Sequence, residues 1–99
     1  MSHRLSPKER LSGELAILFK ELRRKANQDI ETISGHVRVS VLQLKQIESG
    51  RAYVLSQTLL LKVFEYLPID DVQAREQASK LIQAVGSSER RRLYYYSQR

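Results

Sequence analysis

Cysteine is absent from the 99-residue chain, which excludes a disulfide scaffold, a thiolate nucleophile and thiolate-ligated metal, and leaves nothing pointing to an oxidising compartment. Glycine and proline are sparse, at 4 and 2 residues, and no segment reads as a linker, an internal repeat or an alternating strand. No stretch approaches the roughly 20 apolar residues that span a bilayer, and the opening MSHRLSPKER has no apolar signal core. A cytoplasmic protein without membrane association is expected. The two histidines, His3 and His36, are far apart and lack carboxylate company at ligand spacing, so neither a metal nor another cofactor is expected. No nucleophile–base pair, glycine-rich phosphate loop or carboxylate cluster occurs, and Ser12-Gly13 and Ser34-Gly35 lack the strand-to-helix context of a nucleophile elbow. The chain reads as a non-enzyme.

What is present is positive charge and helical periodicity. The length suits one domain with a modest core and about five helices, too small for a catalytic cleft between domains. The net charge of +6 suggests a polyanionic partner, but it is unevenly spread: +4 over residues 1–26, 0 over 27–51, −1 over 52–86 and +3 over 87–99. The flanks are basic and the centre is neutral.

Ser6-Pro7-Lys8-Glu9 combines a serine N-cap, proline at the first helical position and a glutamate placed to close a capping box. Leu11, Leu15, Leu18 and Leu22 then draw one apolar stripe on a helix expected to reach Lys25, with Arg23, Arg24 and Lys25 complementing its negative end. Gly13 is a candidate break in it. A later helix capped by Ser56 carries Leu60, Val63, Phe64 and Leu67 and ends at Pro68. Asp70 and Asp71 open a fifth, with Ala74, Ala78, Leu81, Ile82 and Val85 on one face and Gly86 as its stop. Ser87 or Ser88 could cap a last turn through ERRRLYYY.

Between these lies DIETISGHVRVSVLQLKQIESG, residues 29–50. Asp29 and Ser40 stand at two N-cap positions one short helix apart, and Ile33, Val37, Val39, Leu44 and Ile47 fall where two short helices joined by a tight turn must touch. That is the layout of a helix-turn-helix. Val39-Ser40, Leu44, Ile47-Glu48 and Gly50, followed by the leucine-rich segment Thr58 to Leu67, resemble the Cro/phage-repressor (XRE) type of helix-turn-helix domain. The resemblance covers roughly Leu15 to Leu67, about half the chain. The IESG ending and the LLLKVFEYL segment match in type and spacing.

The resemblance implies an all-α, five-helix domain over residues 1–99, with its core at about 11–67 and an extra C-terminal helix and Tyr/Arg tail at about 70–99. It implies a sequence-specific transcriptional regulator that binds double-stranded DNA, with the third helix in the major groove. Carried onto this sequence, the base-facing positions are Val41, Leu42, Lys45 and Gln46, with Ser40 and Gln43 beside them. Gln46 suits adenine and Val41 a thymine methyl. Arg38, at the turn where relatives often carry glycine or asparagine with φ above zero, and Arg51, in the following loop, would approach phosphates. Glu48 is implied to be structural, buried beside Arg23 or Arg24. Ile30 replaces a glutamine that often clamps phosphate, leaving that contact to backbone amides.

Val41 and Leu42 also depart from the usual polar pair, which leaves a second class open. The neutral, partly apolar face resembles the variant helix-turn-helix of the bacterial cell-shape protein RodZ, where the fold meets protein rather than DNA, or an antiactivator that covers a protein partner. The tail RRRLYYYSQR interleaves cations and aromatics, a pattern that serves stacking on single strands or an interface. A homodimer joined through these C-terminal elements is expected.

Overall fold

A computed structural model describes residues 4–86, and within them the chain is all-helical. Five α-helices follow one another: α1 (Pro7–Ala26), α2 (Ile30–Val37), α3 (Val41–Glu48), α4 (Gln57–Tyr66) and α5 (Val72–Val85), with a single 3-10 turn at Ala52–Val54 between α3 and α4. No helix among the described residues is long and apolar enough to cross a membrane. The expected turn through ERRRLYYY and the Tyr/Arg tail lie outside the described residues.

Each helix starts where a side chain can satisfy an orphan amide. Ser6 and Glu9 form a reciprocal capping box on α1, the Glu9 amide donating to Ser6 Oγ at 3.2 Å and the Ser6 amide to Glu9 Oε1 at 3.1 Å. Ser56 Oγ accepts from the Leu59 amide and Asp71 Oδ1 from the Gln73 amide, each near 3 Å. The stops differ more. α1 ends on Asn27 in the left-handed region (φ 55°), where the Gln28 amide reaches back to the Arg23 carbonyl at 3.2 Å, as in a Schellman motif.

α1 is the axis of the fold, packing along α5 and against α3 and the 3-10 turn, while α2 touches α3 and α4. Its leucine stripe is widened by Ser12, Ala16 and Phe19, all buried, and Phe19 meets Phe64 of α4 with ring centroids 5.8 Å apart. Ile33, Leu44, Ile47, Leu60 and Ile82 are fully enclosed in the same core. Full burial of one such side chain contributes roughly 1.5–3 kcal/mol, more than the ~1 kcal/mol that a mid-helix glycine costs. The expected break at Gly13 therefore does not occur, and α1 is continuous through it. Gly13 instead lies beside the turn after α3, about 3.7 Å from where a Cβ on Gly50 would stand.

Gly86 stops α5, but not through a left-handed glycine. Its φ is −70°, within reach of any residue, and the reason for glycine is space. A Cβ there would come within 2.6 Å of Gln57 Cγ and 2.8 Å of Gln57 Cα.

Candidate functional site

α2 and α3 are eight residues each, joined through Arg38, Val39 and Ser40. The reversal needs one residue with positive φ, and Arg38 supplies it at φ 58°, a conformation that costs a side-chain-bearing residue about 1 kcal/mol. Three contacts hold it there. The Arg38 amide donates to the Ser34 carbonyl at 3.0 Å, Ser34 Oγ donates to the Val39 carbonyl at 2.6 Å, and the Val39 side chain is buried in the core. Ser40 then caps α3, accepting from the Gln43 amide at 3.1 Å while Gln43 Oε1 accepts from the Ser40 amide at 3.2 Å.

Leu44 and Ile47 anchor α3 to the core, so the positions a turn away from them face out. Leu42 is 68% exposed, Lys45 is exposed, and Val41 and Gln46 are half-buried. Spaced at one, four and five positions from Val41, these four share one face of the helix. Arg38 and Ser40 lie exposed at its N-terminal end and Arg51 exposed beyond its C-terminal end, where the Arg51 amide donates to the Gln46 carbonyl at 2.8 Å. From Arg38 to Ile47 the chain carries no acidic residue. Gln43 is the exception in the group, because its side chain is already engaged in the cap. Gly50, at φ 84°, provides the sharp turn that brings Arg51 back.

The other end of α2 faces a second polar region. Lys20, Arg23, Arg24, Asn27 and Gln28 surround a concavity of about 450 Å³, with Asp29 and Glu48 on its wall. Arg23 is committed there: Nη2 meets Glu48 Oε1 at 2.5 Å and Nη1 donates to the Gln28 carbonyl at 3.4 Å. Of the two candidate partners for Glu48, Arg23 is the one that reaches it. Lys20 and Arg24 are exposed and make no ion pair among the described residues. Hydrogen bonds from the Thr32 side chain and backbone amide hold the Asp29 carboxyl below the usual aspartate value, and the Arg23 charge adds to them.

Several members of this region were not singled out from the sequence. Lys20 sits three and four positions before Arg23 and Arg24, a spacing that places all three on one side of α1 and could have flagged it. Gln28 and Tyr66 carried no such signal. The Tyr66 hydroxyl donates to Gln28 Oε1 at 2.7 Å, and its ring stacks on His36 with centroids 5.2 Å apart and planes at 20°. His36 is thus an exposed imidazole whose one face lies on Tyr66 at the α2–α4 contact. No family model, curated protein or solved structure matches the chain.

Proposed function

We propose that the chain is a non-enzymatic transcriptional regulator of the Cro/phage-repressor helix-turn-helix kind, which binds double-stranded DNA as a homodimer with α3 in the major groove. The observation that carries this reading is the outer face of α3: Leu42 and Lys45 exposed and Val41 and Gln46 half-buried beside them, flanked by Arg38 and Arg51, with no acidic residue from Arg38 to Ile47. A short capped helix anchored by Leu44, Ile47 and the Glu48–Arg23 pair can present its outer face to a groove, and the flanking arginines supply sequence-independent contacts to phosphate. Gln46 reads adenine through its amide, and Val41 and Leu42 supply apolar contact to thymine methyls. Lys20 and Arg24 add positive charge at the start of α2. One such helix gives too small an interface for tight specific binding, so two copies pair and place their α3 helices about one DNA turn, roughly 34 Å, apart.

A protein-binding module is the second reading, supported by one observation. Leu42 and Val54, 68% and 46% exposed, are apolar where a phosphate-rich partner rewards polarity.

Selection from a random duplex pool at modest salt tests both. Enrichment of a two-fold symmetric site with half-sites about one turn apart supports the DNA reading. A pool that stays random, with only weak binding that vanishes as salt rises, overturns it in favour of a protein partner.

A further inference from the structure

α4 and α5 do not close completely on each other. Between them runs a groove of about 290 Å³ walled by Leu61, Phe64, Leu67, Ile69, Ala78 and Ile82. Most of these side chains belong to the core, but Leu61 is 40% exposed at the lip. The groove is therefore an open continuation of the core rather than a sealed void. Glu65 and Arg75 line its rim. The Arg75 guanidinium is tied to the Ile69 carbonyl at 2.9 Å, while Glu65 has no ion-pair partner among the described residues.

The path of the chain says what can fill it. α5 returns along α4, so that Gln57 at the start of α4 donates through Nε2 to the Gln83 carbonyl at 3.0 Å and Gly86 packs on Gln57. The chain thus leaves α5 at one end of the groove. Six polar residues, SSERRR, follow, and then Leu93-Tyr94-Tyr95-Tyr96. Six residues reach up to roughly 20 Å, and the ten residues of α4 are about 15 Å long, so the whole groove is within range. Residues joined this closely to α5 are held near the groove, an advantage that a separate molecule at micromolar concentration lacks. Arg90, Arg91 and Arg92 immediately precede the apolar run, and Glu65 is an opposite charge on the rim with no ion-pair partner among the described residues.

We propose that the Leu93–Tyr96 run of the same molecule docks over the mouth of the groove between α4 and α5, against Leu61, with the preceding arginines against Glu65. The contact covers Leu61 and makes the C-terminal run part of the protomer, whether or not the protein binds DNA.

Nuclear Overhauser spectra of the full-length chain test this. In uniformly ¹³C-labelled protein, ring protons of Tyr94–Tyr96 are expected to show cross-peaks to the Leu61 methyls. In a mixture of labelled and unlabelled protein, filtered for contacts between molecules, those cross-peaks are expected to be absent. Leu61→Glu and, separately, Leu93→Asp should remove them while leaving the amide shifts of α1 to α3 in place. Absence of the cross-peaks in the wild type, or their survival in both variants, overturns the proposal. Their appearance in the filtered spectrum also overturns it, and assigns the groove to the run of a second copy.

Discussion

Glu48 and Arg23, 25 positions apart, join α3 to α1 through a single ion pair at 2.5 Å, with 19% and 27% of their side chains exposed. This is neither a free surface pair, worth under ~1 kcal/mol, nor a sealed one whose breaking costs ~3–5 kcal/mol. Glu48→Ala is expected to cost about 1.5–3 kcal/mol, the range for a charge-assisted hydrogen bond. In a domain of this size each kcal/mol lowers Tm by roughly 4–8 °C. Glu48→Gln, which can still accept from Nη2, should lose less. Melting curves of both variants overlaying the wild type would show that the pair does not hold α3 in place.

Glycine substitutions separate steric need from helical convenience. Gly86→Ala drives a methyl into the backbone of Gln57, and overpacking of this kind costs typically ~1–3 kcal/mol. Gly13→Ala and Gly35→Ala meet nothing within 4 Å and should stabilise α1 and α2 by up to ~1 kcal/mol each. Denaturant titrations that rank the three in any other order would mean the α4–α5 junction relaxes around Gly86.

The starts of the helices were legible because each is a local event: Ser6, Asp29, Ser40 and Ser56 bond to an amide three residues away. The buried stripes were legible for the same reason, as they follow from helical period alone. What escaped depends on residues far apart in sequence. Tyr66 and Gln28 are 38 positions apart, and no spacing rule announces them. Gly86 is a helix stop by residue type, but the reason for glycine lies in Gln57 on another helix. Asn27 as a left-handed cap was open to inference from residue type, since asparagine tolerates that conformation, yet no pattern singled it out. At the candidate site the outward positions of α3 followed from the helix-turn-helix resemblance, whereas the engagement of Gln43 in the capping box was foreshadowed only by Ser40 three residues before it.

Arg38 holds a backbone conformation that asparagine adopts more easily. Arg38→Asn should therefore raise stability by about 0.5–1 kcal/mol. If Arg38 contacts phosphate, the same variant binds duplex more weakly despite folding better. A parallel fall in stability and binding would place the arginine side chain in the packing of the turn.

Asp29 links the start of α2 to pH. Its carboxyl is held below the usual aspartate value by the Thr32 hydrogen bonds, so the charged form is favoured by folding. That stabilisation is complete above the unfolded-state value and disappears as pH falls through the depressed folded value. Asp29→Asn keeps a capping side chain but does not titrate. The stability difference between wild type and Asp29→Asn should shrink steadily on acidification below the usual aspartate value. A difference independent of pH in that window would show that the cap acts without its charge.

Substitutions on and beside α3 separate reading of sequence from grip on the backbone. Lys45→Ala and Gln46→Ala should weaken binding to a selected duplex by ~1–3 kcal/mol while changing binding to random duplex far less, because base contacts specify. Arg51→Ala should weaken both alike and reduce the slope of log K against log salt by about 1, the signature of one lost phosphate contact. Leu42→Ala distinguishes the two classes of partner most sharply. On DNA it removes one apolar contact to a thymine methyl, and the loss should be confined to sites that carry thymine at a single position. If Leu42 is instead the anchor of a protein interface, DNA binding is unaffected by its loss, and the Lys45 and Gln46 variants show no difference between selected and random duplex. Titrating all four variants against one selected and one random duplex at two salt concentrations yields both comparisons.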